Sequence, residues 1–358
     1  MRRIFFPFVA IITIISCTLQ NNYPELIQIN GRKLHVQGLA FDHKEQCLYC
    51  SFTSEFYKTD LEGNIIGSIV GIHGHLGAMT YDQKTRKAYA SLELKDDEIG
   101  SGISKTLGVE AYSREESGFY VAEIDVDKIT GLNVAFDEAV TLHRIQEAVD
   151  DYNANVMVDS VELEHRYGCS GIDGVTLAPA FGKNAGKERY LYVAYGVYGD
   201  NERRDNDYNI ILRYNVKDFS KPLNKYFIHT GNTRYGVQNL CYDSYSGMMF
   251  LAVYKGSKPE YPNYSLFALD MGQEPFVDTL KNVPYQEDAV EQLHASGGWH
   301  FKYGSTGMCS LGDGYFYISE KAKENGQQIC KAHLYVYDDI GIDPFIKPNP
   351  ESNDTTTL

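Results

Sequence analysis

Five copies of one phrase predict an all-β chain folded as a five-bladed β-propeller. Each copy is a small residue leading an apolar run, mostly ending near Asp, followed by a second apolar run that is the first one's partner strand. The copies read Gln37–Asp42, Gly77–Asp82, Asp173–Ala178, Gln238–Asp243 and Thr306–Leu311, aligned on the small residue at 38, 78, 174, 239 and 307, with partners Leu48–Ser51, Ala88–Ser91, Leu191–Ala194, Phe250–Val253 and Phe316–Ser319. Self-similarity on this scale signals a radial or stacked array. With insertions set aside, each unit divides into four strand-like runs, and four-stranded units arranged radially are propeller blades. The composition agrees, with 28 Tyr against one Trp, because Tyr suits a half-buried strand.

The first unit is the cleanest: Gly38–Asp42, Cys47–Ser51, Glu55–Asp60 and Asn64–Ile69, with a turn over Asp60–Asn64. The fourth reads Gln238–Asp243, Met248–Tyr254, Tyr264–Asp270 and Pro275–Leu280, and the fifth Met308–Leu311, Tyr315–Ser319, His333–Tyr337 and Asp343–Ile346. A strand near Tyr23–Ile29 is expected to complete a blade with the C-terminus and close the ring. Two insertions interrupt the pattern. Lys95–Glu116, rich in Gly, Ser and charge, reads as a long loop. Phe136–Cys169 contains Val140, Leu142, Ile145 and Val149 at helical spacing, so Glu138–Asp150 is expected to be one inserted helix. The 96-residue interval between the second and third copies leaves six blades as the alternative count.

The N-terminus reads as a targeting segment rather than as part of the fold. Arg2 and Arg3 precede the apolar stretch Ile4–Ile15, the pattern of an export signal. That stretch falls short of the roughly 20 apolar residues a membrane span needs. It ends Ile14-Ile15-Ser16-Cys17, which is similar to a bacterial lipobox with Cys17 as the lipidated residue. The resulting division is 1–17 signal, 18–22 tether, 23–348 propeller and 349–358 tail. The expected location is the cell envelope, anchored through the N-terminal lipid alone, with plain secretion as the alternative. About 340 residues exceed the usual single core, a limit that blades escape by packing only on their neighbours. A net charge of −15 argues against nucleic acid or an anionic membrane surface as main partner. Of seven cysteines, the six after Cys17 read as buried thiols: Cys47 and Cys50 point to opposite faces of one strand, and Cys241 and Cys309 sit in inner strands. A disulfide from Cys169 is the alternative.

In such an array the inner strands line a channel, and their entry loops meet on one face. These loops are His73–Leu76, His165–Ser170, Gly231–Tyr235 and Trp299–Ser305, three of them bringing a Tyr-Gly just before the inner strand. The residue before each repeated small residue forms a ring of Gln37, Gly77, Asp173, Gln238 and Thr306. Polar groups converging on a concave face are the default site, although such groups also bind water and seal a channel. Asp173 is the candidate catalytic acid or base, with His75 its partner. Gln37, His73, Glu93, Arg234, Gln238, Asn239, Lys255, Lys302, Thr306 and Glu320 are the candidate ligand-binding residues. His73 and His75, two apart in an extended segment, share a face as a metal pair does, and a third ligand such as His165, Asp173 or His300 is then required. One divalent metal or none is expected. Arg234, Lys255, Lys302 and His75 together suit an anionic group, unless Arg234 and Lys255 pair with Glu93 or Glu320. The run Tyr198–Asp207 departs from calcium-loop spacing and reads as a solvated loop. The chain has no Ser elbow, phosphate loop or HExxH motif.

The segment Val36–Asp42, followed by Leu48–Ser51 and Tyr57–Asn64, resembles blades of gluconolactonase-like and NHL-like propellers. The likeness covers single blades. It implies a divalent metal in the channel held partly by a Glu before the first inner-strand Gly, a place taken here by Gln37, which is no carboxylate. By position Asp173 and Asn239 correspond to the family's Asp and Asn. Ser170–Gly174 and Tyr235–Asp243 are similar to exported bacterial propellers that carry no assigned activity. The leading expectation is binding of a small polar or anionic ligand, of sugar or sugar-phosphate class, at the channel mouth. A carbohydrate- or ester-directed hydrolase or lyase there, and a protein-interaction scaffold with a protein partner, are the alternatives.

Overall fold

The Asp that ends most copies of the phrase has a physical reason. Asp42 Oδ1 accepts the Lys44 and Glu45 amides, fixing the hairpin, while Oδ2 accepts the hydroxyls of Tyr49 (3.1 Å) and of Tyr81 in the next blade (2.8 Å). Asp243 repeats the device, accepting the Ser246 amide and the Ser310 hydroxyl of its neighbouring blade. One carboxylate therefore closes a turn and ties two blades together.

The computed structural model describes residues 23–348 except Glu115. The signal segment, Cys17, the tether and the tail 349–358 lie outside the described residues. Five blades stand in a ring, with inner strands Val36–Asp42, His75–Asp82, Cys169–Ala178, Thr233–Tyr242 and Met308–Ser310. Their antiparallel partners are Cys47–Phe52, Lys87–Leu94, Tyr190–Val197, Met248–Lys255 and Tyr315–Glu324. All seven residues of Val36–Asp42 are buried, since an inner strand is covered on both faces. Five apolar clusters fill the ring, one at each junction between neighbouring blades. Leu26–Asn30 pairs antiparallel with Gln327–Tyr337 as the outer strand of the fifth blade, so the chain's start closes the ring on its end.

The outer strands depart from the sequence reading. The fourth blade ends with Gly297–Trp299 rather than with 275–280. Phe276–Asp278 instead pairs with Val290–Leu293, which extends the third blade in parallel beside Asn224–His229. Lys95–Glu116 is not simply a loop, because it holds α1 (Glu98–Leu107). Asp97 caps α1 by accepting the Gly100 amide, and a left-handed Gly108 ends it. The single helix expected over 138–150 is also corrected. Phe136–Ala139 forms α2, Val140–Arg144 is the second blade's outer strand, and Gln146–Asn153 forms α3. Val140 and Leu142 alternate with period two, whereas Ile145 and Val149 repeat with period four, and their sum imitates a longer helix.

The run 198–207 is likewise not a solvated loop throughout. Arg203 is paired with Asp205, and Lys258 is paired with Asp207 and bonded to Asn206, all of them buried. The six cysteines from Cys47 to Cys330 are buried free thiols, Cys169 included. No helix among the described residues is long and apolar enough to cross a membrane.

Candidate functional site at the channel mouth

Four of the five ring residues coincide with interruptions of strand register. The pairing slips between Val36 and Gly38, Leu76 and Met79, Ile172 and Val175, and Val237 and Asn239. Gln37, Gly77, Asp173 and Gln238 fall inside these irregularities, where a bulge re-aims a side chain away from the regular ladder. The Tyr-Gly phrases serve the same turn into the channel. Tyr167 and Tyr235 are both left-handed (φ 58° and 63°) and precede Gly168 and Gly236 at φ 69° and 68°, a local strain that the surrounding packing must hold.

Around Asp173 the structure gathers a buried charged cluster. His75 and Glu93 are paired across the second blade's inner hairpin. His75 Nδ1 lies 3.1 Å from Glu93 Oε2 and 3.6 Å from Asp173 Oδ1. Lys95 Nζ sits 2.9 Å from the same Glu93 oxygen. The Ile172 amide donates to Glu93 Oε1 at 2.9 Å, and Gln238 Nε2 donates to Asp173 Oδ2 at 2.8 Å and to the Tyr235 carbonyl at 2.9 Å. α1 covers the outer side of His75, Glu93 and Lys95 through Ile99, Gly100, Ile103 and Ser104.

This burial sets the protonation. Removal from water, then the charge of Glu93, pushes Asp173 up to about 7, against the opposing pull of His75, Lys95 and Gln238. His75 is also raised: burial draws it down, but the Glu93 bond and the Asp173 charge outweigh burial. His35 behaves oppositely, lowered to about 4 by burial and by the charges of Lys321 and His75. Asp173 and His75 are thus both shifted toward holding their protons by burial and by each other's surroundings, and strongly perturbed groups in a cleft are a mark of functional sites.

The other sequence candidates divide between the mouth and its surroundings. Gln37 is buried, its amide within 3.1 Å of His35 Nε2 and donating to Thr53 Oγ1. Asn239 donates to the carbonyls of Gln37 and Ser305, while its buried Oδ1 has no partner among the described residues. Thr306 bonds Ser319. Ser91 Oγ is buried without a partner among the described residues, and a Cβ at Gly77 would lie 2.4 Å from it and 3.2 Å from Asp173 Oδ1. Glycine at 77 therefore leaves both oxygens uncovered. His73 does not join His75; it is exposed, with its carbonyl accepting the Tyr112 hydroxyl. His165 is bonded to the Tyr152 carbonyl and His300 packs on Tyr264, so the expected histidine pair is not formed. Arg234, Lys255 and Lys302 are exposed and lie beside the mouth rather than in the cluster. Glu320 is taken up by Lys347 and the Tyr335 hydroxyl. Lys95 escaped the sequence reading, although it stands two residues after Glu93, the spacing that places side chains on one strand face.

A single divalent metal was one expectation, and His75, Glu93 and Asp173 do offer one nitrogen and two carboxylates within 4.8 Å of one another. The Lys95 ammonium lies 2.9 Å from Glu93 Oε2, so a metal held by this set would compete with it for that oxygen. Gln37 contributes no charge to the set. Gly171 is a sharper constraint. Its φ is +123° and an added Cβ would fall 2.0 Å from Glu93 Oε1. Gly171→Ala is expected to cost about 2–4 kcal/mol through backbone strain and displacement of Glu93, measured by urea unfolding; a loss below about 1 kcal/mol would show that the cluster is soft.

The fold and the mouth define a five-bladed propeller with a buried acid–base cluster at one end of its channel. No protein-family model matches the chain, and no curated protein is similar in sequence. Among solved structures, the soluble aldose sugar dehydrogenase of Escherichia coli in its apo form aligns at 9% identity and TM-score 0.40, over 86% of this chain and 98% of that one. The GH43_1 enzyme of Xanthomonas citri complexed with xylose aligns at 11% identity and TM-score 0.40, over 87% and 91%. A luciferin-regenerating enzyme aligns at 9% identity and TM-score 0.36, over 86% and 95%. Likenesses this loose carry no residue correspondence and no chemistry to this chain.

Proposed function

We propose that this protein is an exported, lipid-anchored propeller that binds a small polar ligand, of sugar or sugar-phosphate class, in its channel mouth. The observation that carries the reading is the set of polar groups gathered at the mouth with Asp173: Gln238, His75 and the buried oxygens of Ser91 and Asn239 that have no partner among the described residues. Buried polar atoms need partners, and a hydroxyl-rich ligand offers them in the mixed donor–acceptor pattern this mouth requires. Export and the lipid anchor rest on Arg2, Arg3, the apolar stretch and Cys17.

A second reading, a hydrolase or lyase acting on the bound ligand, is favoured by one observation, the raised Asp173 beside His75. In it Asp173 is the acid or base and His75 its proton partner. Arg234 has no part, being outside the cluster. A scaffold for a protein partner fits less well, since the face is concave, with cavities of about 710 and 570 Å³ beside the mouth.

A thermal-shift panel of sugars, sugar phosphates and divalent metals tests the reading, because a ligand at about 100 times its Kd adds about 2.7 kcal/mol of stability. At least one sugar-class compound is expected to raise the melting temperature of the wild type and to lose most of that shift in Gln238→Ala. A panel with no hit, or a hit indifferent to Gln238→Ala, places the ligand elsewhere.

A further inference from the structure

Two cavities open beside the mouth and share Tyr254 and Lys255 of the fourth blade. The larger, about 710 Å³, runs past Lys302, Tyr303 and Lys321 and reaches the ring residue Thr306. The smaller, about 570 Å³, continues past Arg234 and Tyr235 toward Gly199 of the third blade. They adjoin at these two side chains and are together termed the groove.

The cations of this groove differ from those the fold ties to its own acids. Lys58, Lys87, Arg204 and Lys347 each sit against a carboxylate. Arg234, Lys255, Lys302 and Lys321 are exposed and, among the described residues, make no ion pair, in a chain with 48 acidic and 33 basic residues. Three of them rest over tyrosine rings instead: Arg234 Cζ is 6.0 Å from the Tyr235 centroid, Lys321 Nζ 5.8 Å from Tyr254 and Lys302 Nζ 5.2 Å from Tyr303. A ring face steadies a cation without cancelling its charge, whereas a carboxylate neutralises it. The two lining residues that do have ionic partners find them in protein groups: Lys331 meets Glu324, and Glu320 meets Lys347. The unpaired charges are thus positioned and left for an anion from outside.

We infer that this groove takes an oligoanionic carbohydrate, two or more sugar units bearing carboxylate, sulfate or phosphate groups. The inference rests on the mouth being a sugar site and names its substrate class. Four cations without an ion pair among the described residues, spread over two adjoining cavities, call for anions on more than one unit. Each cavity alone has the size of a small-molecule site. The polar lining from Ser257, Ser305 and Thr306 suits sugar hydroxyls between those charges.

Isothermal titration of the whole chain with trigalacturonate, a heparin-derived tetrasaccharide, maltotriose and short-chain polyphosphate tests this. One or both acidic oligosaccharides are expected to bind, and which one binds identifies the anion. Their affinity should fall at least about fivefold when salt screens the groove, and maltotriose should bind at least about tenfold more weakly. The paired reversal Lys255→Glu with Lys321→Glu, at exposed positions that leave the melting temperature unchanged, should weaken acidic-oligosaccharide binding at least about tenfold. Equal binding of maltotriose, tighter binding of polyphosphate than of either acidic oligosaccharide, or a change under about twofold on charge reversal overturns the inference. The mouth reading is scored separately, by Gln238→Ala against the single-sugar panel, so either can fail while the other stands.

Discussion

Asp173→Asn is expected to abolish ligand binding at the mouth while leaving the fold at least as stable as wild type. Asparagine keeps the shape and one acceptor for the Gln238 amide, now 2.8 Å from Asp173 Oδ2. It removes the titratable carboxyl beside His75 and the charge opposing Glu93. The pH dependence follows from the direction of the shifts. Asp173 is raised from 3.8 to about 7 in the fold, so the folded state binds its proton more tightly than the unfolded chain does. That contribution is fully present below about 3.8 and is lost as pH rises through about 7. His75 is raised as well, so its contribution is present below its unfolded value of 6.5 and fades with rising pH in the same direction. Wild-type stability should therefore decline from about pH 4 to about 7 through Asp173, with the His75 part lost above 6.5. The Asn variant should decline less and gain on the order of 2 kcal/mol over wild type at pH 8, with the coupling between the two groups spreading the transition. Urea unfolding at both pH values, with calorimetric binding alongside, gives the result. Retained binding, or a pH profile identical to wild type, removes Asp173 from the site.

The architecture was legible because its signals are local. The inner hairpins declare themselves through two apolar runs and an Asp turn, and the Asp42 and Asp243 contacts show that the same carboxylates also join blades. Outer strands carry no such mark. Gly297–Trp299 has three half-buried residues, and only its place beside Leu266–Asp270 selects it over 275–280. α1 was hidden by its Gly and Ser content, yet Asp97 before it and Gly108 after it are ordinary start and stop signals. At the site, Asp173, His75 and Glu93 could be anticipated because ring position and strand pairing are properties of the repeat. The separation of Arg234, Lys255 and Lys302 into a groove could not. Those side chains are placed by left-handed Tyr235 and by ring faces across blades, which the sequence does not order. The run 203–207 hid its burial for a related reason: Lys258, about 50 residues away, supplies the charge that lets Asp207 leave water.

The largest loss of stability is expected from Glu93→Ala. Its side chain is 1% exposed and Lys95 beside it 5%, and its two oxygens serve His75, Lys95 and the Ile172 amide. Lys95 stays charged, since burial, which opposes the charge, is outweighed chiefly by Glu93 and then Asp173. Removing Glu93 strands that ammonium in a dry pocket under α1, a loss of about 3–5 kcal/mol. Lys95→Met is expected to be costly as well, because it leaves Glu93 and Asp173 to repel each other with only His75 between them. The pair Glu93→Gln with Lys95→Met removes both buried charges and keeps an acceptor for the Ile172 amide, so it should recover most of either single loss, with a coupling of roughly 2 kcal/mol or more. Equilibrium urea unfolding of the four proteins measures that coupling, and additive effects would mean that Glu93 and Lys95 act independently. The same double variant separates scaffolding from function. It removes the Glu93 charge, which lifts Asp173, together with the Lys95 charge, which lowers it by less, so the pH midpoint of ligand binding should move modestly toward the ordinary carboxylate range while the fold stands. An unmoved midpoint would mean that the paired charges have no net effect on Asp173, and that the ion pair beneath it serves only to seat α1.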